Sequence, residues 1–205
     1  MGFNQTGQQI LSRSAATTEA GGNFEVDGKL TVAGRSDLDG NTGLGTAGAG
    51  ITAGSGTIIK TSATKEGGII TTRLLIDLTG LNSSAANDII GVDAAADCHW
   101  GQITDNTNGT IFGGRMTCLE VPVGGELDID LFSAIESTGV EDTPMNNLTQ
   151  RNILLTNADW DLTNGRAITL FPKNAEYIYL AGSSGGVDGT YTAGRFLIEF
   201  YGYDE

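Results

Sequence analysis

From Thr57 onwards, the chain is a series of short apolar segments separated by glycine-rich turns. Segments such as "GIITTRLLIDLTG" and "RFLIEFYGY" are rich in β-branched and aromatic residues, which favour strands. The sequences "KEGG", "NTNG", "PVGG" and "PKNA" between the segments are typical of turns. Long amphipathic helical patterns are missing from the sequence, so its apolar residues must be buried by sheets. The pattern predicts an all-β fold, an antiparallel β-sandwich of the jelly-roll type, over residues 57–205.

One of these segments, "ELDIDLF" at residues 126–132, alternates between acidic and apolar residues over its first six positions. In a strand, successive side chains point to opposite faces, so alternation indicates one buried face and one solvent face. We therefore expect Glu126, Asp128 and Asp130 to face solvent.

Residues 1–56 differ from the rest of the chain. Within them, glycine returns every sixth residue in "FEVDGKLTVAGRSDLDG", a spacing that suits short strand-and-turn units and not a helix. The following stretch "TAGAGITAGSGT" has Ile51 as its single large apolar residue, which is typical of a linker. The sequence thus predicts an extended glycine-rich N-terminal arm over residues 1–56 and a folded domain over residues 57–205.

The arm contains apolar side chains that three short units cannot bury against one another. These predicted anchoring and oligomerisation residues are Phe24, Val26, Leu30, Val32 and Leu38. Three copies of the chain wound together, as a homotrimer, would cover them, and so would the surface of a larger assembly. The other interpretation is a glycine-rich loop folded back on its own domain.

The net charge of −14 is distributed unevenly. Residues 1–85 carry six Lys or Arg and seven Asp or Glu, whereas residues 86–205 carry five and eighteen. An acidic domain repels nucleic acid and anionic membranes, so neither is an expected partner. The chain also shows neither an apolar run long enough to cross a membrane nor the apolar core of a signal peptide, which indicates folding in a cytoplasm.

The two cysteines, Cys98 and Cys118, flank the turn sequence "DNTNG". A hairpin folded about Asn108 would place them opposite each other, which allows a cross-strand disulfide. Two buried free thiols are the favoured interpretation.

Catalytic patterns are weak in this sequence. His99 is the only histidine, so any Ser/His/Asp or Cys/His arrangement would have to use it. "GSSGG" around Ser184 matches G-x-S-x-G, but it lies in a glycine-rich connection and not between a strand and a helix. The set Cys98, His99 and Cys118 lacks a fourth zinc ligand, whereas calcium binding by an acidic loop such as "SDLDGN" stays open. We expect no catalytic residue, metal or cofactor.

Glycoside hydrolysis is the enzymatic alternative. It requires two carboxyl groups at a set separation, and among 25 acidic residues the sequence singles out no pair. Trp100 and Trp160 could stack on sugar rings, although core aromatics are the more common role.

The "VDGKLTVAG" lead, followed by a linker and a compact β domain, resembles structural proteins of tailed-bacteriophage virions. The segments "GTIIKTSATKEGGIITTRLLIDLTGLNSS", "NGTIFGGRMTCLEVPVGG" and "GTYTAGRFLIEFYGY" are similar to a family of small virion proteins over roughly residues 56–205. The resemblance implies a non-enzymatic role in the virion after assembly in the bacterial cytoplasm. The favoured role is a head decoration, or cement, protein that attaches by its N-terminal arm to the major capsid protein or another virion protein and stabilises the head shell. The other is a short tail fibre or receptor-binding protein.

Overall fold

The computed structural model describes residues 43–149, 151–156, 159–183 and 186–203. Strand is their main secondary structure, and all the strand pairs among them are antiparallel, which confirms the all-β prediction. The predicted anchoring residues Phe24, Val26, Leu30, Val32 and Leu38 lie outside the described residues.

The strands are β1 (Ile58–Glu66), β2 (Ile69–Asp77), β3 (Asn82–Ser83), β4 (Thr110–Val123), β5 (Ile129–Ala134), β6 (Asn152–Leu155), β7 (Gly165–Ala167), β8 (Tyr177–Gly182), β9 (Gly189–Thr190) and β10 (Ala193–Tyr203). The helical elements are α1 (Ala49–Thr52), α2 (Asp105–Asn108) and a 3-10 turn at Met145–Asn147.

The largest sheet has five strands in the order β1-β2-β10-β4-β7. Its inner side chains alternate with outer ones, as the two-residue period of a strand requires. On the inner side, β2 and β10 bury large apolar side chains completely, and these are Leu74, Ile76, Phe196, Ile198 and Phe200. Both predicted segments, "GIITTRLLIDLTG" and "RFLIEFYGY", therefore form neighbouring strands of one sheet.

A second sheet has three strands in the order β6-β5-β8, and β3 pairs with β9 in a short ribbon. All six residues of the central strand β5 are buried, so both of its faces are covered. β8 likewise buries five of its six residues.

The acidic residues of "ELDIDLF" do not face solvent, so that prediction was wrong. Glu126, Asp128 and Asp130 are only 4%, 8% and 3% exposed. One reason is that Glu126 precedes β5 and turns back on the chain, where its carboxylate accepts the backbone N–H groups of Leu127, Asp128 and Val187. Such hydrogen bonds replace the water that a buried carboxylate loses. The other reason is that β5, which includes Asp130, is covered on both faces.

The predicted hairpin about Asn108 does not form. Residues 105–108 are the helical turn α2. The segment before them pairs with β8, since the backbone N–H of Trp100 donates to the Ile178 carbonyl at 2.8 Å. β4 pairs instead with β10 and β7. Cys98 and Cys118 are both buried free thiols, which confirms the favoured interpretation and excludes the cross-strand disulfide from this structure.

The glycine-rich stretch interpreted as a linker packs against the β domain. Leu44 is 1% exposed, and Ile51 in α1 is fully buried in the same core cluster as the sheets. The Leu44 N–H donates to the Thr61 hydroxyl of β1, and the buried Asn108 amide donates to the Gly43 carbonyl. The packed β domain therefore begins upstream of Thr57, and already includes Leu44.

This packing predicts a sharp difference between two truncated proteins. Removing residues 1–42 should leave the β domain folded, whereas removing residues 1–56 should lower its free energy of unfolding by several kcal/mol. Truncating one buried Leu or Ile typically costs about 2–5 kcal/mol, and the longer deletion removes both Leu44 and Ile51. Urea denaturation of both proteins, with full-length Leu44→Ala as a single-site comparison, measures the difference. Equal stability of the two truncated proteins would contradict the observed packing.

Candidate functional site on the five-stranded sheet

The side of the five-stranded sheet turned away from the core forms a broad surface, which we call the outer face. It consists of every second residue of β1 from Ile58, of β2 from Ile69 and of β10 from Arg195, together with the outward residues of β4. The register places them in rows across the sheet, for example Lys60, Leu75 and Leu197 on three neighbouring strands. The same alternation that fills the core thus determines which side chains this surface presents.

The outer face exposes large apolar side chains at its ends. Ile69 and Tyr203 are register partners, and the Tyr203 ring lies 6.2 Å from that of Phe112, so the three form an apolar cluster. Each is 40–47% exposed. Of the twelve exposed large apolar side chains in the described part of the chain, six belong to strands of this sheet. Grouped apolar side chains on a surface are typical of protein contact sites.

Ion pairs connect neighbouring strands on the outer face. The Arg195 guanidinium lies 2.6 Å from the Asp77 carboxylate and 3.8 Å from that of Glu120, and Arg73 lies 3.1 Å from Glu199. These ion pairs involve Arg73 and Arg195, two of the four arginine or lysine side chains on this face. The other two, Lys60 and Arg115, form no ion pair with any described residue.

The Asp77–Arg195 pair is more buried than the Arg73–Glu199 pair, since the Asp77 side chain is 7% exposed. Burial alone raises the pKa of Asp77. This effect of burial is outweighed by hydrogen bonds from the Thr79 hydroxyl, from Arg195 and from the Thr79 N–H, and by the nearby Arg195 charge. The pKa of Asp77 is therefore lower than its ordinary value. Asp77 is therefore charged at neutral pH, and its ion pair with Arg195 connects β2 to β10.

The five-stranded sheet differs in charge from the rest of the domain. Its strands carry six Lys or Arg and four Asp or Glu, a formal charge of +2. The remaining described residues carry two Lys or Arg and fourteen Asp or Glu, a formal charge of −12. The excess of acidic residues in the described part of the chain thus lies outside the five-stranded sheet.

The histidine and the two cysteines considered for catalysis are buried. His99 is 8% exposed and packs against the Tyr177 ring at 4.7 Å, and burial lowers its pKa, although the charge of Asp97 opposes this. Burial raises the pKa of the Cys98 thiol to about 11, so it is protonated at neutral pH, and it also raises that of Cys118. A protonated, buried thiol is a poor nucleophile. The serine of the "GSSGG" match, Ser184, lies outside the described residues.

Both tryptophans are buried, so neither is available in this structure to stack on a sugar ring. Trp160 packs edge to face against Phe196 with ring centroids 5.3 Å apart, and its indole N–H donates to the Ile129 carbonyl. Trp100 is fully buried. Exposed aromatic surface is supplied instead by Phe112 and Tyr203 of the apolar cluster, together with Phe171.

A depression of about 260 Å³ lies at the start of β4. Phe171 and Pro172 form part of its wall, and Asp105 is the only acidic residue in its lining. The backbone N–H of Asp105 donates to the side-chain oxygen of Asn174 at 3.1 Å. This depression by itself does not supply the two carboxyl groups that glycoside hydrolysis needs.

Neither a metal-binding cluster nor a membrane-spanning helix is found in the described ranges. They contain no group of three or more His, Cys, Asp or Glu side chains placed to hold a metal ion. None of the helices in these ranges has the length and apolar content needed to cross a membrane.

The outer face was not predicted from the sequence. Each of its four long strands carries a lysine or arginine, as in "IIKTSATKE" and "TTRLLID", and this was the available signal. These charges can be assigned to one surface only when the strands are known to be neighbours in one sheet.

Comparison with protein-family models, curated proteins and solved structures finds no match to this chain. The resemblance to virion proteins therefore stays a prediction.

The Asp77–Arg195 pair predicts a pH-dependent loss of stability. Because the folded pKa of Asp77 is lowered, the pair contributes stability above the unfolded pKa of about 3.9, and this is lost as pH falls through the folded pKa. Arg195→Gln should therefore be less stable than the original protein at pH 7, and the difference should shrink below about pH 4. Urea denaturation between pH 7 and pH 3 measures this, with Arg73→Gln, at a more exposed pair, as the control. A difference independent of pH would contradict the assignment.

Proposed function

We propose that the protein is a non-enzymatic structural component of a phage virion, a capsid decoration (cement) protein that stabilises the head shell. The observation that carries the proposal is the outer face, where grouped apolar side chains lie with two cations that form no ion pair with any described residue. Such a surface is suited to protein contact. The resemblance of the lead and the domain to virion proteins supplies the context. The partners are the major capsid protein or another virion protein, and further copies of the same chain in a homotrimer.

The proposal includes the architecture of the domain. The five-stranded and three-stranded sheets are the two layers of a jelly-roll-like sandwich, and the glycine-rich arm precedes them. Support comes from the core cluster, which contains Phe196 and Phe200 of β10 in the five-stranded sheet and Leu131 of β5 in the three-stranded sheet. Because the core is shared, the domain can present its surface rigidly to a partner.

Attachment of the proposed cement protein rests on its N-terminal arm. Burying Val26, Leu30, Val32 and Leu38 contributes about 1.5–3 kcal/mol each, whereas ordering the arm costs about 1–2 kcal/mol per residue. Burial of these four side chains therefore does not by itself offset the cost of ordering the arm. Backbone hydrogen bonds from strand addition, and simultaneous attachment of three copies, supply the remainder.

A short tail fibre or receptor-binding protein is the second candidate. The observation that favours it is the exposed aromatic surface of Phe112, Phe171 and Tyr203, which could contact a receptor. The two roles differ in copy number, because a decoration protein is present in hundreds of copies and a tail fibre in a few trimers. Quantitative gels of purified particles distinguish them. A polysaccharide-degrading appendage is a weaker alternative, and it requires release of oligosaccharide by the purified protein.

The proposed attachment predicts the behaviour of an arm variant. Val32→Asp/Leu38→Asp should detach the protein from particles, because it places two charges where the proposed attachment would bury apolar side chains. Raising the salt concentration should have a much smaller effect on attachment. Sedimentation of particles followed by protein gels measures the bound fraction. Release by salt, with normal binding of the double variant, would show that an ionic contact holds the protein instead.

A further inference from the structure

We propose that Asp88 and Asp142 share a proton across two packed loop segments, and that the pair acts as a pH-sensitive switch. The segments are residues 85–98 and 139–145, which together we call the clasp. The clasp is held closed more firmly in acid, and it opens more readily as the pair loses its proton. The inference concerns a contact within one domain, so it does not depend on the proposed function.

Backbone pairing brings the two segments of the clasp together. Asp88 forms an antiparallel bridge with Pro144. Next to this bridge, the Ile89 N–H donates to the Thr143 carbonyl at 3.0 Å. The pairing places the carboxyl group of Asp88 within hydrogen-bonding reach of that of Asp142. The contact between the two carboxyl groups therefore follows from the packing of segments that are distant in the sequence.

The Asp88 carboxyl group has few groups that would stabilise its ionised form. It is only 4% exposed, and it accepts the Ala85 N–H at 3.2 Å. It forms no ion pair with another described residue. Two ionised carboxylates cannot hydrogen-bond to each other, because a carboxylate only accepts. The contact with Asp142 is therefore favourable when one of the two groups holds a proton.

The surroundings of the pair are acidic. A further carboxylate of the clasp, that of Glu141, is also 4% exposed and accepts the Ala94 N–H at 2.9 Å. The other titratable side chains around the clasp are carboxylates and one thiol, and these are Asp93, Asp97, Cys98, Glu126 and Asp188. No described lysine or arginine is among them. Backbone N–H groups alone therefore favour ionisation of the buried carboxyl groups.

The pKa values of both buried carboxyl groups of the clasp are raised. For Asp88 the main cause is burial, which the Ala85 N–H opposes, and the charge of Asp142 and the contact with it raise the pKa further. Burial also raises the pKa of Glu141, and the charge of Asp142 adds to it. Such a group contributes stability that is fully present below its unfolded pKa of about 4, and this is lost as pH rises through the folded pKa. The clasp thus has the opposite pH dependence to the ion pair between β2 and β10.

The backbone of the clasp is strained. Of the six described non-glycine residues with a positive φ, four lie in the clasp, with φ between 55° and 66°, and these are Asn87, Ala94, Asp97 and Asp142. A left-handed backbone is unfavourable for a residue with a side chain, although asparagine and aspartate tolerate it best. Strained segments belong to the less stable parts of a structure, so we expect loss of the proton to change the opening of the clasp before that of the sheets.

Substitutions that each remove one carboxyl group test the proposal. Asp88→Asn keeps the size of the side chain and an oxygen that can accept the Ala85 N–H. Asp142→Asn removes the exposed member of the pair, and it decides the test if the first variant does not fold. Asp77→Asn is the matched control, because Asp77 is a buried carboxylate that pairs with a cation. Urea denaturation of each full-length protein is measured between about pH 3.5 and about pH 7.

The compared quantity is the free energy of unfolding of each variant minus that of the original protein, followed across pH. For Asp88→Asn and Asp142→Asn this difference should increase from about pH 3.5 to about pH 7, by at least about a threefold change in the unfolding equilibrium constant. For Asp77→Asn it should decrease over the same range. A constant cost of the amide group cancels, because only the change with pH is compared.

Hydrogen exchange shows where in the domain the effect arises. After correction for intrinsic exchange rates, amides of the clasp in the original protein should lose protection between about pH 5 and about pH 7, relative to amides of β10. Asp88→Asn or Asp142→Asn should remove this loss. Stability differences of both variants that stay constant or decrease as pH rises would overturn the proposal, and so would protection of the clasp that is independent of pH.

Discussion

The structure depends most on the pairing of β10, the last strand in the sequence, between β2 and β4. β10 pairs with β2 over nine consecutive residues and with β4 along most of its length. These partners lie far apart in the chain, so the sheet forms only after large loops have closed. Without β10, the inner faces of β2 and β4 would lose the side chains of Phe196, Ile198 and Phe200 from the shared core.

The alternation of β10 also connects the core to the proposed function. Its even-numbered residues from Phe196 to Phe200 fill the interior, and its odd-numbered residues, including Glu199 and Tyr203, belong to the outer face. A one-residue shift in register would exchange the two sets. The ion pair between Arg195 and Asp77 spans β10 and β2, and so supports the register that positions the outer face.

Buried carboxylates hold the loops of the second sheet. Glu176 accepts hydrogen bonds from the Ser133 hydroxyl, the Lys173 N–H and the Asn152 side chain, and so joins β5 to β6 and to the segment before β8. Glu126 performs a similar role at the start of β5. Removing one partner of such a network leaves a buried charge without its hydrogen bonds, which is strongly destabilising. The acidic composition therefore contributes to the interior as well as to the surface.

The fold class and the positions of the long strands could be predicted from the sequence, because a two-residue apolar period and glycine-rich turns are local signals. The order of the strands, the burial of Glu126 and the packing of Leu44 and Ile51 could not, since each depends on residues distant in the chain. The outer face could not be predicted from the sequence for the same reason. Lys60, Arg115 and the apolar cluster are scattered in sequence, and only the order β1-β2-β10-β4-β7 brings them onto one surface.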